Sequence, residues 1–273
     1  MQTVLKTAQK FAAERYLLVK QLVAEQDRGM LFDHAVERSQ TSTMKSDRQV
    51  AGTPAAYSDH CMEDLLERLL PTIEGITGLN LFPTYSYFRV YKTGDVLARH
   101  SDRCSCEVSV TANLGCIASS PWPIWIEGPQ GAVPVEMQPG DAAVYRGIEC
   151  PHWRDAFSGK LAAQVFLHYV DQNGPHAEWK FDKRKRLGTA PRHGVRLAEA
   201  QLHPDGTIEL ASGKTASLYP IEIAVWKHLK ARRTLPQVVE ELMQQFSMSC
   251  CEAEVSVMQF ISFGEKENLL AVD

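Results

Sequence analysis

Two histidines and an aspartate carry the clearest chemical signal in this sequence. His100 and Asp102 form a His-x-Asp triplet, and His152 follows Asp102 by fifty residues. In an extended segment, residues i and i+2 point to the same side, so His100 and Asp102 can bind one ion together. Two imidazoles and one carboxylate on one side of an iron ion leave the remaining positions open, as oxygen-activating non-haem Fe(II) sites require. The pattern therefore predicts a metal site with His100, Asp102 and His152 as ligands.

The segments around these ligands favour strands that would hold them in place. Residues 85–91 are rich in aromatic and β-branched side chains, residues 92–95 are typical of a turn, and residues 96–100 favour the next strand. A Pro-Gly-Asp turn at residues 139–141 precedes His152. We therefore expect strands and turns to deliver all three side chains.

A second His-x-Asp triplet shows how much this context matters. His203-Pro204-Asp205 is followed by Gly206, and Pro-Asp-Gly is typical of a hairpin turn. Because turn chemistry explains these residues, we predict no metal role for His203.

The residues around the first triplet also resemble a known family. The His100-x-Asp102 triplet, the interval of short strands, the Pro-Gly-Asp turn and His152 look like the Fe(II)- and 2-oxoglutarate-dependent dioxygenases of the prolyl hydroxylase type. The resemblance covers residues 79–170. It implies Fe(II) as the cofactor, 2-oxoglutarate and O₂ as cosubstrates, and hydroxylation with release of succinate and CO₂.

The expected fold is α+β. Amphipathic spacing predicts a helix over residues 3–27 and another over 59–76, with residues 26–54 as a polar connection. Short strands separated by turns follow, and the resemblance implies that they form a double-stranded β-helix, or jelly roll. The predicted strands span residues 85–91, 96–100, 107–114, 123–127, 133–137, 142–145 and 161–170.

The resemblance also implies a binding site for 2-oxoglutarate. In this family a cation on the strand after the second histidine holds the far carboxylate of the cosubstrate. Here Lys160 is the only charged residue near that place, whereas Arg154 lies two residues after His152 and can face the same way. Both remain candidates. Tyr91 and Asn113 are further candidates for contacting the cosubstrate.

Three more residues are candidates for the substrate pocket. Arg89 shares a strand face with Tyr91, Thr111 shares one with Asn113, and Trp153 directly follows His152. The alternative is that these side chains only fill the barrel. We expect His168 to be a hydrogen-bonded core histidine, because three metal ligands already suffice.

The C-terminal part of the chain predicts a separate unit. We expect residues 1–186 to form the dioxygenase domain, residues 187–196 a linker and residues 197–273 a small winged-helix-like domain of strands followed by three helices. Its Asp205-Gly206 turn, Leu218-x-Pro220 and Arg233-Thr234-Leu235 resemble the peptide-binding chaperone of pyrroloquinoline quinone biosynthesis. That resemblance implies recognition of a leader peptide.

Composition excludes several classes of function. The net charge of −4 lacks the basic excess of a nucleic-acid-binding protein. No run of about 18 apolar residues predicts a membrane span, and residues 1–20 lack the apolar block of a signal peptide. We therefore expect a cytoplasmic protein whose seven cysteines are reduced thiols.

Two alternatives to a peptide hydroxylase stay open. The barrel could be a non-catalytic protein that binds a small molecule or a peptide, because the anchor for 2-oxoglutarate is not settled. The C-terminal unit could instead only form a homodimer, in which case the substrate is a free small molecule.

Overall fold

The computed structural model describes residues 2–40, 44–46, 49–187, 195–231, 233, 235–248 and 250–272. The chain divides into two units, Met1–Ala190 and Pro191–Asp273. Each unit has its own hydrophobic core. Residues 188–194 of the expected linker lie outside the described residues.

The sequence predicted a single helix over residues 3–27. The structure instead has a helix, a strand and a second helix in the N-terminal segment. Helix α1 spans Gln2–Glu14, strand β1 spans Tyr16–Val19 and helix α2 spans Glu25–Ser39. Arg15 adopts a left-handed conformation with a φ of 69°, which ends α1. The aromatic and branched residues of β1 then pair with a barrel strand, and this long-range pairing overrides the helical spacing.

Helix α3 follows two short strands, β2 (Lys45–Ser46) and β3 (Pro54–Tyr57), and spans His60–Thr77. Its N-cap is Asp59, whose side chain accepts hydrogen bonds from the backbone N–H groups of Cys61 and Met62. Gly78 ends the helix in a left-handed conformation, with a φ of 73°. The helix runs through Pro71, although a proline inside a helix removes one backbone hydrogen bond and favours a kink or a break.

All seven strands predicted for the barrel are present, with a further short strand at His152. In chain order they are β4 (Leu81–Lys92), β5 (Leu97–His100), β6 (Val108–Ile117), β7 (Ile124–Gly128), β8 (Gly131–Val135), β9 (Ala142–Arg146), β10 (His152–Arg154) and β11 (Leu161–Asp171). They form two antiparallel sheets, ordered β1-β9-β6-β11-β4-β3-β2 and β5-β10-β7-β8. This arrangement of helices and antiparallel strands is consistent with a jelly roll.

The seven-stranded sheet separates two different environments. One face is apolar and packs on the helices through residues such as Phe88, Val110 and Val165. The other face carries buried polar residues at alternate positions, namely Arg89, Ser109, Thr111, Asn113, Gln164 and His168. Because burying polar side chains costs free energy unless they are paired, this second face indicates a functional interior.

The Pro-Gly-Asp turn is held by its own aspartate. Asp141 is buried and accepts hydrogen bonds from Lys20 Nζ and from the backbone N–H groups of Gln21 and Gln138. Burial opposes ionisation of Asp141, but these hydrogen bonds outweigh it and lower the pKa of the carboxyl group. The turn and the end of β1 are thereby joined at the start of β9.

The described residues of the second unit form two small sheets and three helices. Its strands are β12 (Val195–Leu197), β13 (Ala200–Leu202), β14 (Thr207–Leu210), β15 (Thr215–Ser217) and β16 (Leu270–Val272), and its helices are α4 (Pro220–Lys230), α5 (Leu235–Phe246) and α6 (Cys250–Glu267). Strands β13, β14 and β15 form one sheet, and β12 pairs with β16, which was not predicted. The residue type of Thr234 favours it as the N-cap of α5, but Thr234 lies outside the described residues.

Two further observations concern membrane-spanning helices and the state of the cysteines. Among the described residues, no helix is both long and apolar enough to cross a membrane. The expectation of uniformly reduced thiols is wrong at Cys104, which is disulfide-bonded, whereas Cys61, Cys106, Cys116 and Cys150 are free.

Candidate metal centre

The pairing of β5 with β10 brings the three predicted ligands together. His152, the first residue of β10, lies directly opposite His100, the last residue of β5. Asp102 follows two residues later, and its backbone N–H donates to the carbonyl oxygen of Gly147 at 2.9 Å. Asp102 and His152, which are fifty positions apart in sequence, therefore lie close together at one end of the small sheet.

The ligand atoms are grouped closely enough for one ion. Asp102 Oδ1 lies 3.8 Å from His100 Nε2 and 3.6 Å from His152 Nε2. The three ligand atoms all lie within 4.8 Å of one another. His152 is buried, whereas the side chains of His100 and Asp102 are 25% and 12% exposed, so the group is open on one side. An oxygen-activating metal site needs such an open side.

Backbone carbonyls orient both imidazole rings. His100 Nδ1 lies 2.8 Å from Ala98 O, and His152 Nδ1 lies 3.0 Å from Cys150 O. A carbonyl oxygen can only accept a hydrogen bond, so each Nδ1 carries the proton and each Nε2 presents a lone pair. This is the tautomer that a metal ligand needs, and the residues present therefore fit a divalent ion.

The electrostatics favour the ligand forms of these groups. Burial opposes ionisation of Asp102, but His152, His168, His100 and a hydrogen bond from Ser109 together lower the pKa of its carboxyl group. Burial also lowers the pKa of His152, despite the opposing effect of Asp102. At neutral pH the site thus contains an ionised carboxylate and a neutral buried imidazole, as metal binding requires.

Ser109 and His168 support Asp102 from behind. Ser109 Oγ donates to Asp102 Oδ2 at 2.6 Å, and His168 Nδ1 lies 3.0 Å from the same hydroxyl. Because the hydroxyl proton points to Asp102, His168 Nδ1 must donate to Ser109. Burial lowers the pKa of His168 to about 4, so this histidine is neutral. It is hydrogen-bonded, as the sequence predicted.

Cys106 offers an alternative ligand set that is less suitable. Ligand atoms of Asp102, Cys106 and His168 also lie within 4.8 Å of one another. However, burial and the charge of Asp102 raise the pKa of the Cys106 thiol well above its usual range. Cys106 and His168 are also both buried, so this set lacks the open side that an oxygen-activating site needs, and the imidazoles of His100 and His152 form the better site with Asp102.

Arg154 is the better placed of the two candidate anchors. Its guanidinium group is fully buried on β10, donates from Nη1 to Trp122 O at 2.7 Å and from Nη2 to Gln164 Oε1 at 3.2 Å, and lies 4.6 Å from the centre of the Trp122 ring. The side chain of Lys160, by contrast, is exposed before β11. The structure thus places only Arg154 in the interior.

The partners of Arg154 are neutral. Burial lowers the pKa of Arg154 to about 10, so its guanidinium group remains charged at neutral pH. Within the described parts of the chain, no carboxylate pairs with it, and its Nε has no hydrogen-bond partner. A buried cation whose partners are all neutral is energetically costly, so this position favours an anionic ligand.

Asn113 and Tyr91 also lie in the interior. Asn113 accepts a hydrogen bond from Gln164 Nε2 at 3.2 Å and donates to Met137 O at 2.9 Å. Tyr91 is buried and packs edge-on against Trp122, with ring centres 4.9 Å apart. The guanidinium group of Arg154 contacts the same Trp122 ring, with 4.6 Å to its centre, so both side chains lie beside this indole.

The three predicted pocket residues have different surroundings. Arg89 is buried, with its guanidinium group 5.7 Å from the ring centre of Tyr87 and 5.6 Å from that of Tyr91. Thr111 Oγ1 lies 3.2 Å from the hydroxyl oxygen of Tyr145. Both therefore lie on the polar face of the large sheet.

Trp153 does not lie on the interior side with His152. It stacks on Trp125 of β7, with ring centres 5.9 Å apart and planes inclined by 4°. Since neighbouring residues of a strand point to opposite faces, the burial of His152 and Arg154 turns Trp153 outward. The expectation that Trp153 walls the pocket needs this correction.

Sequence reasoning missed two residues that shape the site. The Tyr145 ring packs edge-on against the His152 ring, with centres 4.7 Å apart. A Cβ added to Gly147 would lie 2.4 Å from Asp102 Oδ2, so only glycine leaves room for this carboxylate. Strand alternation along β9 places Tyr145 on the same face as Ala143, so the sequence could have predicted the face on which Tyr145 lies. No feature of the sequence indicates the role of Gly147.

We expect Ser109→Ala to weaken Fe(II) binding by about tenfold, because Asp102 would lose the hydrogen bond that orients it. Equilibrium titration of the metal-free protein with Fe(II) under anaerobic conditions measures this. Ser86→Ala is the matched control, since Ser86 is also buried but its hydroxyl donates to Asp59 O. Equal affinities in the two variants would contradict the supporting role of Ser109.

Solved structures similar to this chain include iron- and 2-oxoglutarate-dependent enzymes. The epimerase SnoN of nogalamycin biosynthesis, solved with Fe³⁺, alpha-ketoglutarate and nogalamycin RO, matches with a TM-score of 0.55 at 12% identity, covering 70% of this chain and 93% of SnoN. A prolyl-4-hydroxylase from Pseudomonas putida matches with a TM-score of 0.52 at 16% identity, covering 62% and 98%. HygX from Streptomyces hygroscopicus, with nickel and 2-oxoglutarate bound, matches with a TM-score of 0.50 at 13% identity, covering 62% and 87%.

Comparison of sequences alone finds no such similarity. No protein-family model matches the chain, and no curated protein matches it. At these low identities the structural similarity concerns the fold. Between 62% and 70% of the chain therefore shares the fold of these oxygenases.

Proposed function

We propose that the protein is an Fe(II)- and 2-oxoglutarate-dependent dioxygenase that hydroxylates a peptide or a peptide-like substrate. The observation that carries this proposal is the arrangement of His100 Nε2, His152 Nε2 and Asp102 Oδ1 around one point, with both rings oriented by backbone carbonyls. The buried Arg154 on the same strand as His152 adds a binding site for an anion.

The three side chains would hold Fe(II). When bound there, iron supplies the activation of O₂ that couples decarboxylation of 2-oxoglutarate, giving succinate and CO₂, to oxidation of the substrate. The protein's own contribution is orientation. Ala98 O and Cys150 O fix the two rings, and Ser109 fixes the carboxylate, so the ligands need little rearrangement on binding.

Arg154 would bind the far carboxylate of 2-oxoglutarate. This dicarboxylate offers one carboxylate to the metal and a second one for a cation, and a guanidinium group can hold a carboxylate through two parallel hydrogen bonds. Gln164 and Trp122 already orient the guanidinium plane. We assign the hydroxyl of Tyr91 and the amide of Asn113 as further contacts to the cosubstrate, while Lys160 is too exposed for this role.

The polar face of the large sheet would receive the substrate. Arg89 and Thr111 lie on this face, beside the residues that we assign to the cosubstrate. Both are buried, so a substrate that replaces water there can form strong hydrogen bonds with them.

The second unit would recognise the peptide. Strands β13 and β15 are the outer strands of a three-stranded sheet, and among the described strands each pairs only with β14. An extended peptide can add to such an edge through backbone hydrogen bonds. This supports the winged-helix-like, leader-peptide-binding role that the sequence suggested for this unit.

We expect His152→Ala to abolish the weak visible charge-transfer band that forms when Fe(II) and 2-oxoglutarate bind together, because one of three ligands is lost. Anaerobic titration of the full chain measures the band, and succinate formation in air gives a second readout. His203→Ala is the matched control, since His203 belongs to the other His-x-Asp triplet and contacts Glu209 at a turn. If wild-type protein forms no band, the barrel is a non-catalytic binding protein.

We expect Arg154→Met to raise the dissociation constant of 2-oxoglutarate about 100-fold, which corresponds to about 2.7 kcal/mol, while Fe(II) binding persists. Titrating the Fe(II)-loaded variant with 2-oxoglutarate measures this. Lys160→Met should bind 2-oxoglutarate like the wild type. The reverse result, with loss only in the Lys160 variant, would assign the anchor to Lys160.

We expect synthetic peptides, but not free amino acids, to stimulate succinate release by the full chain. A panel of peptides and the free amino acids, assayed with Fe(II) and 2-oxoglutarate, compares the two substrate classes. Stimulation by free amino acids alone would show that the substrate is a small molecule and that the second unit serves another purpose.

A further inference from the structure

A second group of metal-binding side chains lies outside the barrel, where α2 meets the start of α3. It consists of His34 on α2, Asp59 at the N-cap of α3 and Cys61 in the first turn of α3. One ligand atom from each residue lies within 4.8 Å of the other two. No part of the proposed oxygenase chemistry uses these residues.

The group already has an ordered geometry. His34 Nε2 lies 3.0 Å from both carboxylate oxygens of Asp59, and the Asp59 side chain is only 2% exposed. The backbone N–H groups of Cys61 and Met62 hold this carboxylate in place. His60 adds a second imidazole, with its Nε2 3.3 Å from Cys61 Sγ. The ligand atoms of His34, Asp59 and Cys61 therefore surround one position, and the imidazole of His60 contacts the thiol of Cys61.

The surroundings carry excess negative charge. His34 and Cys61 open onto a surface depression that is also lined by Asp27, Asp64, Glu67 and Arg68. With Asp59 this makes four carboxylates, against the two guanidinium groups of Arg68, which pairs with Asp27, and Arg38, which lies 3.9 Å from Asp59. Counting only the carboxylates and the guanidinium groups, the balance is two negative charges. A divalent cation would neutralise it, and the depression gives it a path of entry.

The thiol of Cys61 is poorly placed without a cation. Burial and the charges of Asp59 and Asp64 raise its pKa, so it stays protonated. A bound metal ion would reverse this, because coordination removes the thiol proton. A thiolate in the first turn of a helix also interacts favourably with the backbone N–H groups there.

We propose that His34, Asp59 and Cys61 form a Zn²⁺ site that joins α2 to α3. Thiolate, imidazole and carboxylate are the donors that Zn²⁺ takes in tetrahedral sites. The proposed ligand set of the barrel centre contains no sulfur. The two sites therefore differ in their spectra, and this proposal stands whether or not the barrel binds iron.

Cobalt substitution tests the site in the reduced, metal-free full chain. Titration with Co²⁺ should give a thiolate-to-cobalt charge-transfer band in the near ultraviolet. Cys61→Ser should lose this band, whereas Cys106→Ser should keep it, because Cys106 is the free cysteine close to Asp102. Absence of the band in the wild type, its survival in Cys61→Ser, or its loss only in Cys106→Ser would overturn the proposal.

Alkylation of the wild type gives a second measurement that does not depend on folding of a cysteine variant. Zn²⁺ should protect Cys61 from iodoacetamide and leave the reactivity of Cys116 unchanged, as read by mass spectrometry. His34→Ala, a substitution on a partly exposed helix position, should remove the protection. Unprotected Cys61 in the wild type, or full protection in the His34 variant, would contradict the proposed ligands.

Discussion

The antiparallel pairing of β5 with β10 is the constraint on which the candidate metal centre depends. It places His152 opposite His100, and in each segment the carbonyl oxygen two residues earlier, that of Ala98 or Cys150, lies against the Nδ1 atom. The same backbone therefore supplies both the positions and the tautomers of the ligands. Asp102 is positioned by its backbone N–H, which donates to the carbonyl oxygen of Gly147 in the turn after β9. Gly147 also leaves room for the Asp102 carboxylate.

The large sheet connects this centre to the rest of the unit. Its apolar face packs on the helices and provides most of the hydrophobic core, so its other face can hold polar groups in a buried interior. Those groups are joined in chains, such as Arg154 to Gln164 to Asn113 and His168 to Ser109 to Asp102. Each polar side chain is thus oriented before any ligand arrives, which reduces the entropy lost on binding.

Electric charge is distributed unevenly between the two proposed sites. In the barrel, a buried guanidinium group has only neutral partners and favours an anion, whereas the cluster at α2 and α3 has an excess of carboxylates and favours a cation. At each site an uncompensated charge raises the free energy of the protein, because water solvates it poorly there. The two sites lie in one unit, so each can be tested in the full chain without cutting it.

The sequence predicted the barrel strands and the grouping of His100, Asp102 and His152, because strand alternation and turn residues are local properties. Local patterns failed where a distant partner decides the outcome. Residues 16–19 continue a helical spacing, yet they become β1 because β9 offers them a sheet edge. The tertiary structure also places Arg154 in the interior and Lys160 at the surface, and the side of β10 occupied by Trp153 follows from the packing of its neighbours. Sequence spacing predicts which side chains can share a face, but only the packed sheets determine which face is inside.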